Sequence, residues 1–246
     1  MNGPLAAGFV GRGLIMQASD VEAAAFRLGV PVYRVAAILA VESSGKGFDP
    51  AGRPKILFEP HIFYREMAGD QVKLDMAVKA GLAYAVQGTQ PYPPTSEANY
   101  SRLKRACLLD AGAAMRSASW GVAQVMGFNF SVGGYACVED MVTACMDSEA
   151  AQFGLLVGYV ERNGLVKYLQ TANYLAFARG YNGSGAAAEY ARRIIAAIAR
   201  SGGDIKPNVT VTVSAKPQPA ARPAPQPMAD SLMDAEWLRI RSGMSA

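Results

Sequence analysis

Histidine is almost missing from this chain: His61 is the only one in 246 residues. Zinc sites without a cysteine cluster, and Ser-His-Asp or Cys-His nucleophile systems, all require histidine. That scarcity sets aside most hydrolase mechanisms other than carboxylate chemistry, and no metal or other cofactor is expected. Cysteine is scarce as well. Cys107, Cys137 and Cys145 form no CxxC pair and leave an odd count, which predicts free buried thiols in a reducing compartment rather than a disulfide framework. The net charge of +4 is spread along the chain, and no run of Lys and Arg reads as a nucleic-acid stripe. No uninterrupted apolar stretch reaches the ~18 residues of a membrane-spanning helix, so no membrane insertion is expected. The opening MNGPLAAGFVGRGLIMQASD lacks a basic n-region, is interrupted by Arg12 and offers no clear small-residue cleavage site. Synthesis in the cytoplasm without a signal peptide is therefore the expectation.

What is present is mostly helical patterning. Ser19 or Asp20 is expected to cap a first helix, VEAAAFRLG, ending at Gly29, and Pro31 opens a second at a tolerated position. In that second helix Val32, Val35, Ala36, Leu39 and Ala40 fall at helical spacing, so it is predicted to be a core helix running directly into Glu42. After it, DPAGRP is turn chemistry and KILFE reads as a short strand or extended arm. Residues 66–87 look helical, and QGTQPYPPTSEANY is a tyrosine-bearing loop of the kind that forms binding edges. One apolar stripe from Val138 to Val160 predicts a single long central helix with Glu149 on its buried face. Helices are expected around Leu165 to Arg179 and Ala186 to Ser201, joined by the turn YNGSG. A Pro/Ala-rich linker over 203–230 and a short amphipathic helix over 231–246, with Met233, Trp237, Ile240 and Met244 on one side, complete the chain. That tail is read as a segment that either docks, on a protein partner among others, or frays.

Glu42 is the most informative residue. A helix C-terminus carries partial negative charge, so a carboxylate there is misplaced by about 0.3–1 kcal/mol, and apolar neighbours add a desolvation cost of the same sign. Both effects raise its pKa, which is what a general acid donating to a glycosidic oxygen requires. A surface glutamate followed by Ser43, Ser44 and Gly45 as a loose cap is the plainer alternative.

Three motifs shift the balance: the ES pair at Glu42 and Ser43, then ASWGVAQVMGFN at 118–129, then FARGYNGSG at 177–185. In this order they resemble the lysozyme-like superfamily of goose-type lysozymes and soluble lytic transglycosylases. VESSGKGFDPAGRPKILFEPHIFYR is similar, more narrowly, to the hallmark segment of the N-acetylmuramidase family found in phage endolysins of Gram-negative hosts. The resemblance spans roughly Gly13 to Arg200. It implies a mainly α (α+β) fold: a lysozyme-like catalytic domain over 1–202 with a small β hairpin or extended arm after the catalytic helix. It also implies that Glu42 is the acid acting on the β-1,4 bond between N-acetylmuramic acid and N-acetylglucosamine in peptidoglycan.

Within that resemblance Glu59 is the candidate second carboxylate, either as a base positioning water or as a stabiliser of the oxocarbenium-like transition state. An ion pair with Arg53, Lys55 or Arg65 is its alternative. Glu149 is the rival, although a buried carboxylate is more often paired, with arginine for example. Gln124, Tyr181, Asn182 and Ser119 are carried over as substrate-binding residues; Asn182 otherwise shapes the turn, and Tyr181 otherwise is a buried phenol satisfied by the backbone. His61 is read as packed or hydrogen-bonded rather than catalytic.

The chain departs from the family pattern at Pro60, at Tyr174 in place of a tryptophan, and in GSGAAAEYA, which lacks an aromatic after YNG. Those changes leave the acid untouched and alter expected sugar contacts. Two competing readings stand beside the muramidase: a lytic transglycosylase forming 1,6-anhydromuramic ends with the same Glu42, and a non-catalytic wall-binding or phage structural protein on the same fold. The expected partner is peptidoglycan glycan strands, bound by a monomer. The expected place of action is the wall, in the periplasm, reached after release or delivery or as part of a phage-like particle.

Overall fold

The computed structural model describes residues 3–42 and 46–203. The tail helix and almost all of the Pro/Ala linker lie outside the described residues.

Helix α1, Ala18–Leu28, begins one residue ahead of the expected cap: Gln17 is the N-cap, and its backbone N–H donates to Asp20 Oδ2 at 2.7 Å. It ends at Gly29, whose φ of 61° is the left-handed conformation that closes a helix at glycine without a Cβ penalty. Helix α2, Val32–Glu42, follows Pro31. Its buried side is Val35, Ala37, Ile38 and Val41, whereas Val32, expected inside, is 45% exposed. The face is rotated from expectation because VYRVAAILAVE is apolar nearly all round, so periodicity does not choose a side.

KILFE does form a strand, β1, Ile56–Phe58. Its partner is distant in sequence: β1 pairs antiparallel with β2, Ala118–Trp120, which pairs with β3, Val125–Met126. The sheet is therefore not a hairpin following α2; the motif ASWGVAQVM supplies two of its three strands. HIFY is helical, within α3, Pro60–Met67, with proline in the first turn where its missing N–H costs nothing. The expected 66–87 helix is shorter, α4, Gln71–Lys79. Helices α5, Ser96–Cys107, and α6, Ala111–Arg116, follow, capped by Thr95 and Asp110 side chains that accept from the N–H groups of Ala98 and Ala113.

The expected long helix breaks. A 3-10 helix, Gly127–Gly133, leads into α7, Val138–Asp147, and α8, Glu149–Arg162, starts after Ser148 turns fully extended (φ −156°, ψ 151°) and caps it through Ala151 N–H. Leu14 bridges to Ser148 at the break, and Arg12 pairs with Asp147. The segment 165–179 also splits, into α9, Val166–Gln170, and α10, Tyr174–Asn182, at Ala172, whose φ is +55°. The last helix, α11, Ala187–Arg200, packs against α10 and α2. A single principal core runs through the molecule. Near one end Phe9 packs on Tyr100 and Trp120, and the indole N–H reaches Met115 O at 3.0 Å. No single helix among the described residues is long and apolar enough to cross a membrane.

Candidate active site

Glu42 closes α2, half-buried, and α11 grips that helix end from the side. Tyr190 Oη donates to Glu42 Oε1. Three residues along α11, Arg193 donates from Nη2 to Val41 O at 2.7 Å. Arg193 thus satisfies one of the carbonyls a helix end leaves open and sets positive charge against the dipole's negative pole. The helix terminus that looked hostile to a carboxylate therefore carries a compensating cation.

Behind Glu42 stands a stack of rings. Phe177 lies on Tyr181 at 5.6 Å and 9°, Tyr181 lies on Tyr190 at 5.7 Å and 22°, and Tyr159 meets Tyr181 edge-on at 5.8 Å. Burial first, and then the Glu42 charge, push both the Tyr181 and the Tyr190 phenols well above their ordinary range. Tyr181 is 2% exposed, so its ring offers no face to a sugar in this conformation. Asn182 ends α10, partly exposed, before Gly183.

Gln124 and Ser119 meet at the β2–β3 turn. Gln124 takes a left-handed φ of 51° and ties the turn together: Nε2 donates to Lys55 O at 3.1 Å and Gly121 O at 2.8 Å, while Oε1 accepts from Ser119 Oγ at 2.9 Å.

Glu149 is held by backbone. Its Oε1 accepts from Gly47 N–H at 2.5 Å and its Oε2 from Met16 N–H at 3.0 Å. No arginine is needed, because two amides supply the partners a buried carboxylate requires. One turn further, Gln152 Oε1 accepts from Val122 N–H and its Nε2 donates to Cys145 O, each at 2.8 Å. Glu149 and Gln152 together fasten to α8 both Gly47 and the β2–β3 turn. A Cβ on Gly47 would stand 2.1 Å from Gln152 Oε1, so only glycine allows that approach.

The DPAGRP turn is stapled by Asp49 and Arg53, both buried. Arg53 Nε and Nη2 donate to Asp49 Oδ2 at 2.9 and 2.7 Å, Ser96 Oγ donates to it at 2.7 Å, and the guanidinium lies 4.3 Å over the Tyr100 ring. Burial pushes the Asp49 carboxyl up, but the hydrogen bonds from Arg53, Ser96 and the backbone outweigh it and hold it below its ordinary range. Arg53 also pairs with Glu97 at 2.9 Å.

Glu59, 1% exposed, precedes α3 and accepts Tyr92 Oη at 2.6 Å. His61 Nδ1 is 3.3 Å from Glu59 Oε2 but off the line a hydrogen bond needs, and the ring is packed in the first turn of α3. Burial first, and then Glu59, raises the phenols of Tyr84 and Tyr92, the latter to beyond the usual tyrosine range and the former against a lowering from Arg102, just as burial and then Glu42 raise Tyr181 and Tyr190. Each of the two carboxylates accepts from a different tyrosine, Tyr92 at Glu59 and Tyr190 at Glu42.

Tyr190, Arg193, Gln152 and Tyr92 are the residues that sequence reasoning passed over. Tyr190 carried a usable signal: it lies with Ala187, Ala191, Ile194 and Ile198 on the buried stripe of α11, and a buried phenol needs a hydrogen-bond partner.

Residues 31–201 match the model of the Muramidase family, described as N-acetylmuramidase. The crystal structure of the Burkholderia AP3 phage endolysin matches with a TM-score of 0.69 and 33% identity, over 81% of this chain and 76% of that one. No curated protein matches. The helical body with its small sheet is a lysozyme-like α+β fold, and the catalytic type is a glycoside hydrolase. With its family segment beginning one residue before α2 and running through α11, the chain belongs to the N-acetylmuramidase family.

Proposed function

We propose that Glu42 is the general acid of a peptidoglycan hydrolase of the endolysin type, protonating the glycosidic oxygen between N-acetylmuramic acid and N-acetylglucosamine. The observation that carries this reading is the seating of Glu42: a half-buried carboxyl at a braced helix end, with one oxygen engaged by a phenol. An acid must be oriented before it can deliver a proton in line with a breaking bond. As the C1–O bond breaks, the leaving sugar takes the Glu42 proton. Water attacks C1 from the far side, or the substrate's own N-acetyl group engages C1 before water does; in either case the attacking water releases its second proton to solvent, and Glu42 regains one from solvent.

Glu59 enters this reading as a latch. Its burial and its Tyr92 hydrogen bond favour holding the 80–95 loop over contacting a sugar. Ser119 and Gln124 shape the β2–β3 turn, and Asn182 remains a direct sugar contact. The site of action is the wall, reached from the cytoplasm after a breach of the inner membrane.

Glu42→Gln is expected to lower lysis of outer-membrane-permeabilised cells by about 10²-fold or more while preserving fold and wall binding. Unchanged lysis would refute the assignment. Mass spectrometry of the wild-type digest should show reducing muramic ends; mainly anhydro ends would make the enzyme a transglycosylase.

A further inference from the structure

We propose that Tyr190 is the positioning residue of Glu42: its hydroxyl, aimed by the ring stack between α10 and α11, orients the carboxyl and sets the pH range over which it serves as an acid. This rests on Glu42 being the acid.

Both ends of the hydrogen bond are immobilised. The Tyr190 ring, 6% exposed, stacks on Tyr181, which stacks on Phe177 and is closed off by the edge of Tyr159. A tyrosine has only two side-chain torsions, and the stack fixes the plane of the ring. The carboxyl's helix is fixed by Arg193, three residues along the same face of α11, through Val41 O. Tyr181, the tyrosine of the YNG motif, stands one layer further back.

A donor on a carboxylate oxygen favours the ionised form. Removing the hydroxyl should therefore let the carboxyl keep its proton to higher pH while loosening its aim. Among the described residues, the titratable and charged groups that face the carboxyl include Tyr190 and Arg193 on α11 and Tyr181 on α10, with Tyr159 of α8 against Tyr181. Tyr190→Phe changes none but Tyr190 and keeps the stack.

The experiment measures kcat/KM against pH on purified peptidoglycan for the wild type and Tyr190→Phe. It is paired with a titration of the Glu42 carboxyl by ¹³C NMR, which does not depend on turnover. Expected are a roughly tenfold lower rate and a basic limb displaced upward by about one pH unit, with the carboxyl titration moving likewise. A ring-fluorinated tyrosine at position 190, a stronger donor of nearly the same shape, should move both downward. Superimposable profiles and an unmoved carboxyl titration would overturn the proposal. If Glu42→Gln is inactive in the same assay, that failure belongs to Tyr190 alone; if Glu42→Gln is active, the assignment of the acid itself has failed.

Discussion

At Glu149 both carboxylate oxygens face backbone amides, those of Gly47 and Met16. Glutamine in its place presents an N–H₂ to one of those donors and leaves it unsatisfied, a cost of about 1–3 kcal/mol. Glu149→Gln is therefore expected to lower Tm while activity per folded molecule persists; a lost activity at unchanged Tm would instead restore Glu149 as the second carboxylate. Glu59→Gln and Tyr92→Phe test the latch in the same way. Limited proteolysis should cut both variants faster within 80–95, with muramidase activity retained, and inactive but fully protected variants would return Glu59 to catalysis. At this scale, residue type went as far as carboxylate chemistry and Glu42. It did not reach Tyr190, because the pairing of a phenol on α11 with a carboxylate on α2 depends on how those helices cross.

The elements were partly legible. The left-handed glycine after α1, the apolar KILFE strand and the amphipathic last helix are local signals, and local signals survive folding. The break at Ser148 was hidden because the apolar stripe continues across it, while Leu14 and the α8 cap take up its backbone. The pairing of β1 was hidden because its partner β2 lies far along the chain, and all three strands are only two or three residues long. Close approach between elements gives a direct test. Gly47→Ala places a Cβ against Gln152 Oε1, whereas a Cβ at Gly154, within α8, meets nothing within 4 Å. Gly47→Ala should cost about 1–3 kcal/mol of stability and push Gly47 away from α8, with reduced lysis. Gly154→Ala should gain about 0.5–1 kcal/mol and leave lysis unchanged. Equal effects in chemical denaturation would contradict the packing described at Gly47.

For the whole molecule, acid is the informative perturbation. Asp49 and Asp110 are held below the ordinary carboxylate range: burial raises both, and donors outweigh it, Arg53 and Ser96 at one site, Ala113 N–H and Lys73 at the other. A carboxyl with a depressed folded-state pKa adds stability that is complete above its unfolded value and is lost as pH falls through the folded one. Tm should accordingly stay level on acidification to about pH 4 and fall below it, and Asp49→Asn should flatten part of that fall. A decline that begins near neutral pH would place the controlling groups elsewhere.

The sequence by itself determined the class of chemistry and the family, and it singled out Glu42 as the candidate acid. These follow from which residue types are present and from motifs whose order needs no knowledge of the third dimension. The tertiary structure alone decided the second rank of residues. Glu149 became a backbone clamp because α8 passes beneath Gly47 and Met16, and Tyr181 became a buried layer of the ring stack because Tyr190, Phe177 and Tyr159 pack around it. A side chain's partners are set by which elements lie against it, and chain order does not record that adjacency.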